Sequence, residues 1–288
     1  MDPLSRPCRS VLYIPGSKAR ALEKARSLPA DAIIFDLEDA VAPAEKAAAR
    51  DMLVRFLGET DFGTRLRILR VNGLETPWGE EDLAAAAGMA VDAVLVPKVG
   101  APGDLDAVAA RVAQPLWAML ETAAGMLNAG AIAAHPRLEG MVMGTNDLAR
   151  ELGSRHRADR LPMQAGLGLC LLAARAHGRV IVDGVFGAVR DPEGLAAECE
   201  QGRDMGFDGK TLVHPDQIAV ANRVFAPTPD DIALARRQIA AFDVALAAGE
   251  GVAVVDGKIV ENLHIVMARA TLAMAEAIAA MEHWRGAA

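Results

Sequence analysis

Two carboxylates, Glu121 and Asp147, follow short apolar runs at residues 116–120 and 141–143. Runs of this kind are typical of parallel strands that are covered on both faces. If the two strands are neighbours, both carboxylates lie at the same edge of the sheet and can share one cation. Carboxylate oxygens with further positions open to water and substrate suit Mg²⁺. A pair of structural acids held by ion pairs is the alternative interpretation.

An arginine and a cluster of acids end two earlier apolar runs. Arg70 ends one run, and Asp36, Glu38 and Asp39 follow the run before it. A guanidinium at this edge can bind a carboxylate through two hydrogen bonds and can stabilise charge that develops on a carbonyl oxygen. A salt bridge from Arg70 to one of the acids is compatible with that function, because an acid can orient the arginine. Three acids in four residues are too costly for ordinary core packing, so Glu38 and Asp39 are candidate catalytic groups.

Lys18 lies at a predicted turn from strand to helix, and Lys24 follows one to two helical turns later. Because helix N-termini attract phosphate, the two lysines together could bind a phosphate-bearing ligand, although either alone would be ordinary surface. The segment 209–211 does not fit a P-loop, since it opens a predicted strand and lacks the first glycine of that motif. The six histidines share no spacing that would indicate a zinc site.

Eight apolar runs, with helical stretches between them, position these groups. They are residues 11–14, 32–36, 66–71, 93–96, 116–120, 141–143, 180–182 and 211–213. Polar clusters follow the runs, among them Pro97-Lys98 and Lys210 through His214. This order predicts an α/β fold, a (β/α)₈ TIM barrel, in which catalytic groups lie at the carboxyl ends of the strands.

The barrel is predicted to span residues 1–226, with a polar loop at 153–160 over the site. Residues 227–288 are predicted to form a helix–hairpin–helix extension, which packs on the barrel or acts as a lid or subunit arm.

Composition limits the class of protein. The chain has 288 residues, is 52% apolar and carries a net charge of −8 with no basic block. A nucleic-acid or anionic-membrane partner is therefore not expected. Three cysteines without a C-x-x-C pair indicate free thiols in a reducing compartment. With no secretion signal and no unbroken apolar stretch of about 18 residues, a soluble cytoplasmic enzyme is expected.

Nine motifs occur in order along almost the whole chain. They are RSVLYIPGSKARALEKA (9–25), DAIIFDLEDAVAPAEKAAAR (31–50), RVNGLETP (70–77), VLVPKVG (94–100), ETAAG (121–125), GTNDL (144–148), VDGVFG (182–187), GFDGKTLVHPDQI (206–218) and VVDGKIVENLH (254–264). In this order and spacing, the chain resembles the citrate lyase β-subunit and malyl-CoA lyase family within the HpcH/HpaI aldolase superfamily.

The resemblance implies roles for individual residues. It implies that Glu121 and Asp147 bind Mg²⁺, and that the metal chelates an α-oxo or 2-hydroxy acid. Arg70 and the backbone at Asn146-Asp147 would contact that acid. The positions that match the family's coenzyme A site are Tyr13, Lys18, Lys24, Val213 and His214.

The resemblance also implies a homo-oligomer, usually a trimer or hexamer, in which the C-terminal extension reaches a neighbouring subunit. In malyl-CoA lyases, an aspartate of this extension serves as an acid/base across the interface. The aligned residue here is Glu261, which is one methylene longer. A second departure is Asn146, where many relatives have an acidic or small residue.

The reaction implied first is a Mg²⁺-dependent retro-Claisen cleavage of malyl-, β-methylmalyl- or citramalyl-CoA to an α-oxo acid and an acyl-CoA. Arg70 and the metal would stabilise the oxyanions, and Glu261 would protonate the enolate. One alternative is a (3S)-malyl-CoA thioesterase, in which water reaches the thioester at the same site. The same motifs are also compatible with a citrate lyase β-subunit that acts on a citryl carrier protein, or with a CoA-binding protein without catalysis.

Overall fold

The computed structural model describes residues 6–287, with side chains through His283. Eight parallel strands form a closed barrel in chain order, and β1 pairs with both β2 and β8. The strands are β1 Ser10–Pro15, β2 Ala32–Asp36, β3 Leu66–Arg70, β4 Ala93–Val96, β5 Leu116–Leu120, β6 Leu138–Met143, β7 Val180–Asp183 and β8 Gly209–Leu212. The predicted TIM-barrel fold is confirmed.

Helices follow the strands and cover the barrel. They are α1 Ala19–Ala25, α2 Lys46–Glu59, α3 Gly79–Ala86, α4 Pro102–Ala109, α5 Ala123–Leu127, α6 Ala129–Ala133, α7 Thr145–Leu152, α8 Gln164–Ala176, α9 Pro192–Met205 and α10 Ile218–Val224. Short 3₁₀ turns lie at Pro43–Glu45, Leu161–Met163 and Pro215–Gln217. The main hydrophobic core lies between these helices and the outer face of the strands, and a second buried cluster fills the barrel.

The helical stretch after β5 is divided into α5 and α6 at Asn128, whose side-chain amide donates to the carbonyl of Gly100 at 2.7 Å. One sequence prediction differs from the structure in an informative way. The last strand begins at Gly209, so Lys210 lies within β8 and is fully buried. The expectation that Lys210 belongs to a polar cluster beyond the strand was wrong, because buried acids compensate its charge.

The described chain divides into two compact units. The barrel unit is Cys8–Phe225, and the second unit begins at Ala226 and takes in residues 6 and 7. The second unit contains α11 Pro229–Ala247, β9 Ala253–Val255, β10 Lys258–Val260 and α12 Asn262–Ala287. Asp256 and Gly257 turn the β9–β10 hairpin, and both have positive φ, as a tight two-residue hairpin turn requires.

The second unit has a small core of its own. Phe242, Val260 and Ile265 are buried in one cluster. Within the described residues, one helical stretch, Asn262–His283, is long and apolar enough to cross a membrane by length and composition alone. Arg269 and Glu276 interrupt it, which is why the sequence has no unbroken apolar run there.

Candidate active site

A cavity of about 310 Å³ lies at the carboxyl ends of the barrel strands. The residues predicted from sequence that line it are Tyr13, Asp39, Arg70, Glu121, Asn146, Asp147 and Val213. Asp36 and Met119 are among the other residues that line it. The chain thus brings together the candidate metal ligands, the arginine and part of the predicted substrate site.

Strand alternation explains why these side chains meet. Side chains point to the two faces of a strand in turn, so every second residue faces the barrel interior. The interior residues Leu66 and Ile68 of β3 are followed at this spacing by Arg70. Trp117 and Met119 of β5 are followed in the same way by Glu121. Both polar side chains therefore stand above the apolar filling of the barrel.

Arg70 is held by carboxylates on its own side of the cavity. Its Nε and Nη2 donate to the two oxygens of Asp36 at 2.7 and 2.6 Å, and Nη1 lies 2.8 Å from Glu38 Oε2. Asp39 is more distant, at 3.7 Å from Nη1. Burial lowers the pKa of Arg70, but electrostatic interactions with Asp36, Tyr13 and Glu38 and the hydrogen bonds to Asp36 together outweigh burial, so the pKa lies above its ordinary value. The salt bridge and the cavity-facing position predicted for this arginine therefore coexist.

Tyr13 lies beneath the guanidinium of Arg70. The centre of its ring is 4.9 Å from Arg70 Cζ, within the range of a cation–π contact. Its hydroxyl is buried and has no hydrogen-bond partner among the described residues. Burial raises the pKa of Tyr13 well above its ordinary value. The cavity therefore has a neutral phenol that is free to donate a hydrogen bond.

Glu121 is buried beside a second acid. It is 2% exposed, and its Oε1 accepts a hydrogen bond from the backbone N–H of Lys98 at 2.8 Å. Burial raises the pKa of Glu121 to about 8, and the negative charge of Asp147 adds to this effect. Gly144 permits the close packing, because a Cβ there would lie 2.2 Å from Glu121 Cβ.

Asp147 lies in the first turn of α7 rather than at the end of β6. Its side chain is 20% exposed, and Oδ1 lies 2.6 Å from Nη2 of the exposed Arg150. Glu121 and Asp147 repel each other, and Glu121 is also desolvated. A hard cation bound between them would offset this repulsion. The described residues contain no group of three His, Cys, Asp or Glu side chains that could hold a metal. This oxygen-only pair fits Mg²⁺, which keeps several waters and takes few protein ligands.

Lys98 contacts both Glu121 and Glu38, although it was not among the candidate site residues predicted from sequence. It follows β4, its N–H is bound to Glu121, and its Nζ lies 2.5 Å from Glu38 Oε1. Its place in a polar cluster beyond a strand was the available signal. That signal does not indicate whether the side chain contacts the site or solvent, and a lysine at such a position is usually solvated.

The two other predicted lysines do not line the cavity. Both are exposed, and Lys18 Nζ lies 3.8 Å from Glu45. The Val213-His214 segment borders the cavity through Val213, but both of its N–H groups donate to Gln217 Oε1, at 2.9 and 3.2 Å. The carbonyl oxygen of His214 in turn accepts a hydrogen bond from the N–H of Gln217 at 3.1 Å, so Gln217 holds this backbone segment on both sides.

Glu261 belongs to the second unit. It is exposed and immediately precedes α12, and its backbone N–H donates to His264 Nδ1 at 3.1 Å. Its predicted role as an acid/base from a neighbouring subunit remains a prediction.

The polar segment 153–160 forms an irregular loop, as predicted. It lines a second cavity of about 410 Å³, which shares Thr145, Asn146 and Val185 with the first. The two cavities are therefore adjacent parts of one cleft at the carboxyl ends of the strands.

Comparison with known proteins gives a consistent set of relatives. The HpcH/HpaI aldolase/citrate lyase model matches residues 9–215. A (3S)-malyl-CoA thioesterase from Cereibacter sphaeroides is 71% identical over 277 residues, which cover 96% of this chain and 97% of the relative. An L-malyl-CoA/β-methylmalyl-CoA lyase from the same species is 36% identical over 312 residues, covering 96% of this chain and 98% of the relative.

The fold comparison leads to similar proteins. The Mycobacterium tuberculosis protein CitE, crystallised with magnesium, acetoacetate and coenzyme A, superimposes with a TM-score of 0.81 at 32% identity. That alignment covers 94% of this chain and 99% of the other. A citrate lyase β-subunit from the same organism, complexed with oxaloacetate and magnesium, gives a TM-score of 0.70 at 34% identity, covering 78% of this chain and 99% of that chain.

Proposed function

Because this chain belongs to the HpcH/HpaI aldolase/citrate lyase family, we propose that it hydrolyses (3S)-malyl-CoA to malate and coenzyme A. It is an enzyme of the CoA-ester lyase and thioesterase group. The observation that carries the proposal is the 71% identity to a malyl-CoA thioesterase over nearly both full lengths, against 36% to the lyase. These identities favour the thioesterase over the lyase that the sequence motifs implied first.

We assign the metal position to Glu121 and Asp147. The support is their convergence on one cavity, their oxygen-only chemistry, and the magnesium in the M. tuberculosis structures. When bound there, Mg²⁺ supplies Lewis-acid polarisation and offsets negative charge on the substrate. The protein's own contribution is to hold the two carboxylates in place: Lys98 N–H fixes one oxygen of Glu121, and the first turn of α7 fixes Asp147.

Arg70 would bind the free carboxylate of the malyl group. A guanidinium has five N–H donors, and Asp36 and Glu38 engage three of them here. Nη1 also lies 3.7 Å from Met119 Sδ in the cavity wall and 3.7 Å from Asp39 Oδ2, both beyond the range of a strong hydrogen bond. Because Asp36 binds the guanidinium through two parallel bonds, the free donors keep their direction before the substrate arrives, which lowers the cost of orienting it.

Asp39 and Tyr13 are suited to two tasks in hydrolysis, which are to remove a proton from water and to stabilise negative charge on the carbonyl oxygen. Asp39 lines the cavity with a 61% exposed side chain, so a water molecule can reach it. In the proposed step, Asp39 takes a proton from water while the water oxygen attacks the thioester carbonyl carbon. The neutral Tyr13 hydroxyl donates a hydrogen bond to the carbonyl oxygen as it gains charge. The C–S bond then breaks, and the coenzyme A thiolate leaves and takes up the proton.

The lyase is a second candidate, favoured by the full-length relatives at 36% identity. It uses the same metal and arginine, but its base removes the substrate hydroxyl proton and an acid must then protonate a thioester enolate. Glu261 from another copy of the chain is the candidate for that acid. The two reactions therefore depend on different carboxylates.

A single time course separates the candidates. Purified protein with Mg²⁺ and (3S)-malyl-CoA should release malate and free coenzyme A in equal amounts, without glyoxylate. Glyoxylate with acetyl-CoA would identify the lyase, and no product in either channel would exclude malyl-CoA as the substrate and favour a citryl carrier protein.

Variants of the two carboxylates test the mechanism. Asp39→Asn should abolish hydrolysis while Glu261→Gln retains it. The reverse pattern would contradict the proposed step.

A further inference from the structure

We propose that Lys98 is a positioning residue that couples the two halves of this site, through its backbone to the metal ligand Glu121 and through its side chain to Arg70. The proposal rests on the function proposed above and adds a residue that acts through others. Its basis is that one residue makes two contacts. Its backbone N–H binds Glu121, which lines the cavity, and its ammonium group binds Glu38, which in turn binds Arg70.

The backbone contact depends on an unusual conformation. Lys98 has φ of 52°, in the left-handed region that non-glycine residues rarely adopt. Such conformations persist where the surroundings enforce them, and they cluster at functional sites. The chain is fixed on both sides here, since Val96 pairs with Ala118 in the sheet and Val99 N–H donates to Met119 O at 3.2 Å. Between these two anchors, the N–H of Lys98 is directed to Glu121 Oε1.

The side-chain contact reaches the other half of the site. Lys98 Nζ lies 2.5 Å from Oε1 of Glu38, and the other oxygen of Glu38 lies 2.8 Å from Arg70 Nη1. Glu38 is buried, and its two oxygens bridge the two cations. Lys98 thus fixes the carboxylate that fixes the arginine.

Charge explains why the lysine is needed there. Asp36, Glu38 and Asp39 all contact Arg70, so three acids surround one guanidinium. Lys46 Nζ donates to Glu38 O at 2.9 Å and supplies a second positive charge on this side of the cavity. Three acids against Arg70 and Lys46 still leave one excess negative charge, which would repel the carboxylate of the substrate. Lys98 offsets that excess without occupying the cavity, since its side chain reaches Glu38 from outside the lining residues.

The two contacts can be separated by substitution, because one uses the backbone and the other the ammonium group. Lys98→Gly and Lys98→Met both remove the ammonium group and keep the N–H. In either variant, KM for malyl-CoA should rise about tenfold with a smaller change in kcat, as expected for loss of an outer contact, and Mg²⁺ affinity should stay unchanged. Lys98→Arg should have a KM between the value of these variants and that of the wild type. Lys258→Met, which removes an exposed lysine of the hairpin, should leave both parameters unchanged.

A second pair of variants, Lys98→Val and Lys98→Gly, tests the backbone contact. Lys98→Val also lacks the ammonium group, but a β-branched residue is strained at positive φ, whereas glycine is not. Lys98→Val should therefore bind Mg²⁺ about tenfold more weakly than Lys98→Gly, measured by titration calorimetry without substrate. Equal Mg²⁺ affinity in the two variants would show that this backbone conformation does not hold the metal ligand.

A double-mutant cycle tests whether Lys98 acts through Glu38. If it does, the double variant Lys98→Met/Glu38→Gln should lose less malate affinity than the product of the two single-variant fold losses. Its free energy of unfolding in urea should likewise fall by less than the sum of the two single losses. If malyl-CoA is not turned over but malate or stability still shows the coupling, the proposed function fails and the role of Lys98 stands. Additive losses in both measurements would overturn the role of Lys98.

Discussion

Asp147 faces the cavity and is also paired with a cation one helical turn away. Arg150 holds its Oδ1 in an ion pair whose arginine is three-quarters exposed. A metal ion at this carboxylate must compete with that guanidinium. An exposed pair of this kind contributes about 0.3–0.5 kcal/mol, so the competition is weak but measurable.

Removing the competitor should strengthen metal binding. We expect Arg150→Gln to raise Mg²⁺ affinity about twofold, in line with the energy of an exposed ion pair. Titration calorimetry checks this, with Arg55→Gln on α2 as a control that loses the same charge outside the cavity lining. Weaker binding in Arg150→Gln would mean that this arginine supports the site instead of competing with it.

Gly144 is required by its distance to Glu121. A Cβ at this position would meet Glu121 Cβ at 2.2 Å and Oε2 at 2.6 Å, so one of the two residues has to move. We expect Gly144→Ala to destabilise the protein by about 1–3 kcal/mol and to weaken Mg²⁺ binding. Urea unfolding and metal titration measure the two effects.

A glycine in open space provides the comparison. Nothing lies within 4 Å of a Cβ at Gly168, in the middle of α8, so Gly168→Ala should be neutral or stabilising by up to about 1 kcal/mol. Equal stability of the two alanine variants would contradict the close packing at Gly144.

At the scale of strands and helices, much of the site could be predicted from the sequence. The bounds of β2, β4 and β5 agree with the structure, because their continuous apolar runs end sharply at an acidic residue or, for β4, at Pro97. Arg70 and Glu121 could be placed for the same reason, since strand ends converge at one edge of a parallel barrel. Polar residues in the helices and loops follow no such rule, so the sequence did not reveal the pairing of Asp147 with Arg150.

Buried charge is the other feature that the sequence did not indicate. Lys210 Nζ lies 3.0 Å from Asp183 and 2.6 Å from Glu198, and Arg160 donates to both oxygens of Asp183. This cluster connects β7, β8, α9 and the end of the loop at 153–160. The sequence predicted Lys210 in a polar cluster beyond the strand, and only the three-dimensional positions of two acids that are distant in sequence make its burial favourable.

The cluster should make β7 and β8 sensitive to loss of one acid. Asp183 is fully buried, so Asp183→Asn leaves Lys210 and Arg160 short of a partner and should cost about 3–5 kcal/mol in urea unfolding. Glu198 is partly exposed, and Glu198→Gln should cost about 1 kcal/mol, as for one hydrogen bond. Equal losses in the two variants would contradict the dependence on burial.

The same acid predicts a pH dependence. Burial alone would raise the pKa of Asp183, but the charges of Lys210 and Arg160 outweigh it, so the pKa in the folded protein lies below its ordinary value. A depressed folded-state pKa stabilises the fold above the unfolded pKa of about 3.9, and this contribution is lost as pH falls through the folded pKa. The stability advantage of the wild type over Asp183→Asn should therefore be constant above about pH 4 and shrink below it. If the advantage of the wild type grew as the pH fell, the pKa of Asp183 in the folded protein would be raised and not lowered.

At the scale of the whole molecule, the second unit exposes an apolar helical face. Leu263, Val266 and Met267 lie at the i, i+3, i+4 spacing of one face of α12, and all three are exposed. Exposed apolar patches of this kind commonly mark association sites, which agrees with the homo-oligomer that the family resemblance implies. We predict that this face packs against another copy of the chain.

A charge on that face should weaken the assembly. Val266→Glu should lower the molecular mass measured by sedimentation equilibrium at micromolar concentration. Glu276→Gln, an exposed substitution in the same helix, should not change that mass. A wild type that is already monomeric would contradict the prediction.

The closure of the barrel has a consequence for biosynthesis. Strand β1 gains its second partner only when β8 has been made, because Ser10 pairs with Lys210 and Leu12 with Leu212. At about 5–20 residues per second, a ribosome needs roughly 10–40 s to synthesise the chain between these strands. Ribosome-bound chains of increasing length should show protease protection of the first strand only after the eighth has left the exit tunnel, and earlier protection would contradict this order. For most of its translation, the nascent chain therefore carries an open strand edge, which is a template for pairing with another chain translated from the same messenger RNA.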